Sequence, residues 1–137
     1  MKREEKGERP LEYLYFIAAI LFAIIVYALV SYFRMKKAVT TLTQEQFIEG
    51  YRKAQLIDVR EPKDFAAGHI LGARNIPQTQ LRQRHKEIRS DKPVYIYDQN
   101  GARAGRVAIY LKKQGYDQLY QLQGGFKQWT GKIKSKN

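Results

Sequence analysis

The 137-residue chain contains no cysteine. Disulfides, thiolate zinc sites, iron–sulfur clusters and every cysteine nucleophile are excluded with it. The absence does not fix a compartment, because a cysteine-free chain tolerates either side of a membrane. Long Gly/Ser or Pro tracts, internal repeats and low-complexity stretches are missing too. Acidic residues are scarce: 13 Asp+Glu face 25 Lys+Arg, for a formal net charge of +12. Such a surplus attracts anionic partners, either nucleic acid or acidic lipid headgroups.

The surplus is unevenly placed. Residues 1–12 form a polar flank in which Lys2, Arg3, Lys6 and Arg9 balance Glu4, Glu5, Glu8 and Glu12. From Arg34 onward, 21 basic side chains face 9 acidic ones. Between the two lies residues 13–33, YLYFIAAILFAIIVYALVSYF, which carries no charge. As a helix it would be roughly 30 Å long, the thickness of a bilayer's hydrocarbon core. Tyr13, Tyr15 and Phe16 at one end, and Tyr32 and Phe33 at the other, suit the two interfaces. A cleaved signal peptide would have a shorter apolar region and a small-residue cleavage site. A buried core helix would need a larger enclosing domain than the rest of the chain supplies. A single-pass transmembrane helix is therefore expected, with the lipid bilayer as its partner. Arg34, Lys36 and Lys37 directly after it favour N-out, C-in, at the cell membrane with the remainder cytoplasmic. No GxxxG pattern suggests pairing of the helix.

Residues 34–39 read as a basic linker. Beyond them, strand-like and helix-like segments alternate. Thr43 with Gln46 three residues on is a capping-box pattern opening a short helix through Phe47, Ile48 and Tyr51. Strands are predicted at residues 55–59, 73–76, 93–97 and 119–122, the third being rich in β-branched and aromatic residues. Helices are predicted at 62–67, 80–89, 103–114 and 125–130. In the third of these, Ala104, Val107, Ala108 and Leu111 repeat at helical spacing before Gly115. Strands separated by helices imply an α/β fold, a parallel sheet with helices on both faces.

Three separated motifs resemble one known family. Asp58-Val59-Arg60-Glu61, Phe65, Gly68-His69-Ile70, Gly72-Ala73 and Asn75-Ile76-Pro77 look like the amino-terminal signature of rhodanese-like domains. Residues 94–103 resemble that family's strand and active-site loop. Gly115-Tyr116 and Leu122-Gln123-Gly124-Gly125-Phe126 with Trp129 resemble its carboxyl-terminal signature. The resemblance places a rhodanese-like domain at 40–131 and leaves 132–137 as a basic tail. Read structurally, Gly68, Gly72, Gly124 and Gly125 permit turns, His69 is a satisfied structural histidine, and Asp58 pairs with loop amides or a basic group.

The resemblance implies a sulfurtransferase ancestor. Enzymes of the family carry sulfur as a persulfide on a cysteine at the first position of a six-residue loop between a strand and a helix. Loop N–H groups and the helix amino terminus stabilise the anion there. The six positions here are Asp98, Gln99, Asn100, Gly101, Ala102 and Arg103. Asp98 stands where the cysteine would, and a carboxylate forms no stable persulfide. Sulfur transfer by the family mechanism is excluded, and no catalytic residue is assigned. The first expectation is that the Asp98 carboxylate fills the anion cradle itself, gaining roughly 0.3–2 kcal/mol from the helix end. Arg60, Arg74 and Arg103 are candidate ligand-binding residues for an anion or acidic peptide. No cofactor or metal is expected.

The favoured function is a catalytically inactive binding or scaffolding module for an unidentified protein partner. The alternative is an enzyme of the rhodanese superfamily with residual sulfurtransferase-type or aspartate-based phosphatase activity. The basic stretch 82–92 and the tail suit contact with anionic lipid. Nucleic acid fits less well, because no stacking aromatics stand among the charges.

Overall fold

A computed structural model describes residues 9–135. Most of the polar flank, residues 1–8, and the end of the tail, 136–137, lie outside the described residues. The chain divides into two units, 1–34 and 35–137.

The first unit is helical. Helix α1 runs Arg9–Ala38 and is long and apolar enough to cross a membrane. Its apolar window is not buried, as a helix without an enclosing core requires. It continues beyond Phe33, where the apolar run ends, so Arg34 to Ala38 are helical. Ala38 and Val39 are already buried in the second unit.

The second unit is built on β1 (Thr40–Leu42), β2 (Gln55–Asp58), β4 (Arg74–Asn75), β5 (Val94–Tyr97) and β6 (Leu119–Leu122). They form one sheet in the order β1-β6-β5-β2-β4, and every pairing is parallel. A second, antiparallel ladder joins β3 (His69–Ile70) to β7 (Ile133–Lys134). Helices α2 (Gln44–Gly50), α3 (Pro62–Ala67), α4 (Leu81–Arg84) and α5 (Ala102–Lys113) connect the strands.

Alternation along the strands builds two apolar layers, because successive side chains point to opposite faces. Ile57, Val94 and Ile96 pack with Ala104, Val107, Ala108 and Leu111 of α5. Leu56, Tyr97 and Leu122 pack with Phe47 and Tyr51 on the other side. The capping box forms as expected: Gln46 N–H donates to Thr43 Oγ1, and Thr43 N–H donates to Gln46 Oε1 at 2.9 Å.

Three expectations need correcting. The polar helix at 80–89 is broken into a 3₁₀ turn at Gln78–Gln80, α4, and a second 3₁₀ turn at His85–Glu87. Only Leu81 and Ile88 of that stretch are buried apolar anchors. The Tyr116 hydroxyl ends it by hydrogen bonding to the carbonyls of His85 and Ile88. The helix at 125–130 is a 3₁₀ turn, Phe126–Gln128. Residues 40–42, 69–70 and 133–134 are strands where none was predicted. They are two or three residues long, too short for periodicity to mark.

Candidate functional site

The site lies where β5 hands the chain to α5. Tyr97 ends the strand, Asp98 begins the loop, and Gly101 turns the backbone into the helix with φ +100°. That left-handed conformation suits glycine, and it points the loop's amides inward. The Asp98 carboxylate is 1% exposed. Oδ1 accepts from Gly101 N–H at 2.5 Å, and Oδ2 accepts from Arg103 N–H at 2.5 Å and Ala104 N–H at 3.2 Å. Three amides at the start of a twelve-residue helix thus converge on one side chain. They are donors that have no carbonyl partner within the helix. Asn100 Oδ1 takes a fourth, from Ala102 N–H at 3.1 Å.

The loop is held from behind. Phe126 N–H donates to the Asp98 carbonyl at 2.8 Å, and Lys127 N–H donates to the Gln99 carbonyl at 2.9 Å. Gly125 makes this approach possible. A Cβ there would stand 2.7 Å from Asn100 N, the Asp98 carbonyl oxygen and Gln99 C, and the residue has φ +67°.

A buried ion pair lies beside the loop. Asp58, fully buried at the end of β2, faces Arg60, 4% exposed. Arg60 Nη2 donates to Asp58 Oδ2 at 2.8 Å, Nε donates to both carboxylate oxygens at 3.1 Å, and Arg60 N–H donates to Oδ1 at 2.9 Å. Burial pulls the Arg60 pKa down, but the hydrogen bond and charge of Asp58 outweigh it, leaving a net rise. The guanidinium also donates to the Gly68 carbonyl and to Gln99 Oε1, and it lies 4.2 Å over the Phe126 ring. Asn75 Nδ2 closes the underside by donating to the carbonyls of Asp58 and Arg60. The Tyr97 hydroxyl accepts from Ile70 N–H at 3.0 Å. Its phenol is held well above the usual tyrosine range, chiefly by burial and then by the charge of Asp58. His69 is structural in its contacts: Nδ1 bonds the Phe65 carbonyl at 2.7 Å, and the ring stacks on Phe65.

The three arginines named as ligand groups take separate places. Arg60 spends its guanidinium on Asp58, Gly68 and Gln99. Arg74 is exposed and donates to the carbonyl of Glu87 at 3.3 Å. Arg103 contributes its backbone amide to the cradle and keeps an exposed side chain. Sequence reasoning gave no role to Tyr97, Asn75 or Phe126 in holding the ion pair and loop. Opposite charges two residues apart, Asp58 and Arg60, at the end of an apolar strand-like run were the available sequence signal for such a layer.

A parallel α/β domain whose strand–loop–helix cradle closes on a side chain of its own defines the class. The chain belongs to the rhodanese-like family: residues 43–132 match the family model described as "Rhodanese-like domain". With no cysteine anywhere in the chain, the catalytic cysteine of that family is absent. The chain is 59% identical over 121 residues to the uncharacterized protein YqhL of Bacillus subtilis, covering 88% of this chain and 96% of that protein. It is 34% identical over 87 residues to the thiosulfate sulfurtransferase GlpE of Pseudomonas putida, covering 62% of this chain and 79% of that protein. Among solved structures, the reduced CoADR-RHD of Bacillus anthracis matches with TM-score 0.61 and 37% identity, over 66% of this chain and 16% of that one. A rhodanese-related protein of Thermoplasma volcanium matches with TM-score 0.65 and 23% identity, over 69% and 97%. That second likeness concerns the fold alone.

Proposed function

We propose that this chain is a single-pass membrane protein whose rhodanese-like domain performs no sulfur transfer and serves as a binding or scaffolding module. The observation that carries the reading is the Asp98 carboxylate, which takes the amides of Gly101, Arg103 and Ala104. The cradle that would stabilise a substrate-derived anion is filled by the protein's own. The activity named for the Pseudomonas putida relative does not carry over, because the chain has no atom to hold the transferred sulfur. Helix α1, with its unbroken apolar run and basic carboxyl-terminal flank, supports anchoring in the cell membrane with the domain cytoplasmic. The basic surplus beyond Arg34 supports contact with anionic lipid, and the protein partner is unidentified.

The test is a thiosulfate:cyanide sulfur-transfer assay on the wild type and on Asp98→Cys. The wild type is expected to be inactive and Asp98→Cys to gain measurable transfer, since the amides and helix end are in place. Sulfur transfer by the wild type would overturn the reading. Labelling of a single Thr40→Cys in intact cells by an impermeant maleimide would reverse the orientation.

A further inference from the structure

All five strands of the main sheet are parallel, so their amino-terminal ends share one rim and their carboxyl-terminal ends the other. Register fixes the first rim: Gln55 pairs with Val94, and Val94 with Leu119. Hydrogen bonds tie its segments together. Gln55 bonds the backbone of Arg89, Val94 N–H donates to the Gln118 carbonyl, and the Tyr116 hydroxyl bonds the carbonyls of His85 and Ile88.

The rim is strongly basic. Arg52 and Lys53 precede β2, Lys86, Arg89 and Lys92 precede β5, and Lys112 and Lys113 end α5 before β6. All seven side chains are exposed. They face three carboxylates, Glu87, Asp91 and Asp117, of which Asp91 is paired with Arg89 and Glu87 with Arg84. The opposite rim is less strongly basic. Glu45, Glu61 and Asp64 there meet Lys63, Arg103, Lys127 and, across the β3–β7 ladder, Lys134, while Asp58 is spent on Arg60 and Asp98 on backbone amides.

The chain enters the domain at the basic rim. Val39, in the core, immediately precedes β1, and only Arg34 to Ala38 separate it from the last residue of the apolar run. In any conformation the six steps from Phe33 to Val39 span less than roughly 22 Å. The pull of an anionic leaflet on Lys and Arg falls off within one Debye length, about 8–10 Å, so it favours the basic rim lying against the headgroups over any arrangement that holds it away.

We propose that the rim at the strands' amino-terminal ends docks on the anionic phospholipid headgroups of the membrane that holds the chain, turning the Asp98 loop outward. The inference rests on the anchoring reading and adds to it a defined face and a defined orientation of the site. A partner of the Asp98 rim would then approach from the solvent side without competing with lipid.

The cysteine-free chain allows unique labels. Single variants Ser90→Cys on the basic rim and Lys63→Cys on the opposite rim carry a fluorophore in the full-length protein. They are reconstituted in nanodiscs of phosphatidylcholine alone or with about 30% phosphatidylglycerol. Quenching by headgroup-labelled lipid is expected to rise about threefold at position 90 when phosphatidylglycerol is present, and to fall back in roughly 0.5 M salt. Position 63 is expected to stay unquenched throughout. Combining Lys92→Gln, Lys112→Gln and Lys113→Gln is expected to abolish the rise. Equal quenching at both positions, or no response at position 90 to phosphatidylglycerol, overturns the proposal while leaving anchoring intact. Protection of position 90 by added RNA but not by phosphatidylglycerol overturns it in favour of a nucleic-acid surface. Failure of the full chain to float with carbonate-washed vesicles removes the anchoring reading, and the proposal with it.

Discussion

Arg60 and Gln99 are joined by a hydrogen bond of 3.1 Å from guanidinium to side-chain oxygen. Through it the ion pair at the end of β2 is coupled to the loop that carries Asp98. Position 99 follows the cradle's closing residue directly, so the loop is fixed from inside by Asp98 and from the side by Arg60.

Breaking the pair should therefore be felt at both places. Arg60→Ala leaves the buried Asp58 carboxyl without its partner, and loss of one partner of a buried pair costs about 3–5 kcal/mol. Thermal unfolding of the detergent-solubilised chain measures it. Amide exchange at Gly101 and Arg103 should accelerate in the same variant; unchanged exchange there would deny the coupling.

Asp98→Asn replaces one acceptor oxygen with a donor that faces an N–H. At least one of the Gly101, Arg103 and Ala104 amides then loses its partner, with an expected destabilisation of about 1–3 kcal/mol. Denaturant unfolding reads this directly. A variant as stable as the wild type would mean that the carboxylate is not what holds the loop.

Two glycines separate packing from backbone strain. Gly115 has φ +100° with open space where a Cβ would go, whereas Gly125 has φ +67° and three backbone atoms at 2.7 Å. Gly115→Ala should cost only the left-handed strain, about 1–2 kcal/mol. Gly125→Ala should cost that plus overpacking of a further 1–3 kcal/mol or so, and should shift the resonances of residues 98–100. Equal losses in the two variants would contradict the close approach.

Tyr97 gives a prediction at high pH. Burial, then the charge of Asp58, keep the folded phenol protonated well above its ordinary range, while the unfolded phenol titrates near about 10. Above that pH the unfolded chain binds fewer protons than the folded one. Stability falls as pH rises, by up to about 1.4 kcal/mol per pH unit for this proton, and its contribution is fully present below about pH 10. Tyr97→Phe should flatten the decline measured by unfolding between about pH 10 and 12. Tyr95 and Tyr116, also raised chiefly by burial, keep some slope in the variant. Identical slopes in variant and wild type would assign the decline elsewhere.

The parts of the fold visible in the sequence were those with a local cause. Thr43 and Gln46 announce their helix because the capping box is a contact between near neighbours. The residues at 94–97 announce a strand by composition, and those at 104–111 a helix by spacing. What could not be read was set by distant partners. His69 and Ile70 become a strand only because Ile133 and Lys134 lie against them. The break in the 80–89 helix is set by Leu81, Ile88 and a hydroxyl from Tyr116. At the site, Asp98 and its loop followed from the resemblance of residues 94–103 to the strand and loop of rhodanese-like domains. The contacts of the Arg60 guanidinium did not, because they depend on burial beside Gly68, Gln99 and Phe126 together.

The β3–β7 ladder makes the far end of the chain a structural participant. Ile133 and Lys134 brace His69 and Ile70, the residues that directly follow the carbonyl of Gly68 on which Arg60 leans. Carboxypeptidase trimming as far as Lys132 would unclasp that brace and loosen the guanidinium without touching a loop residue.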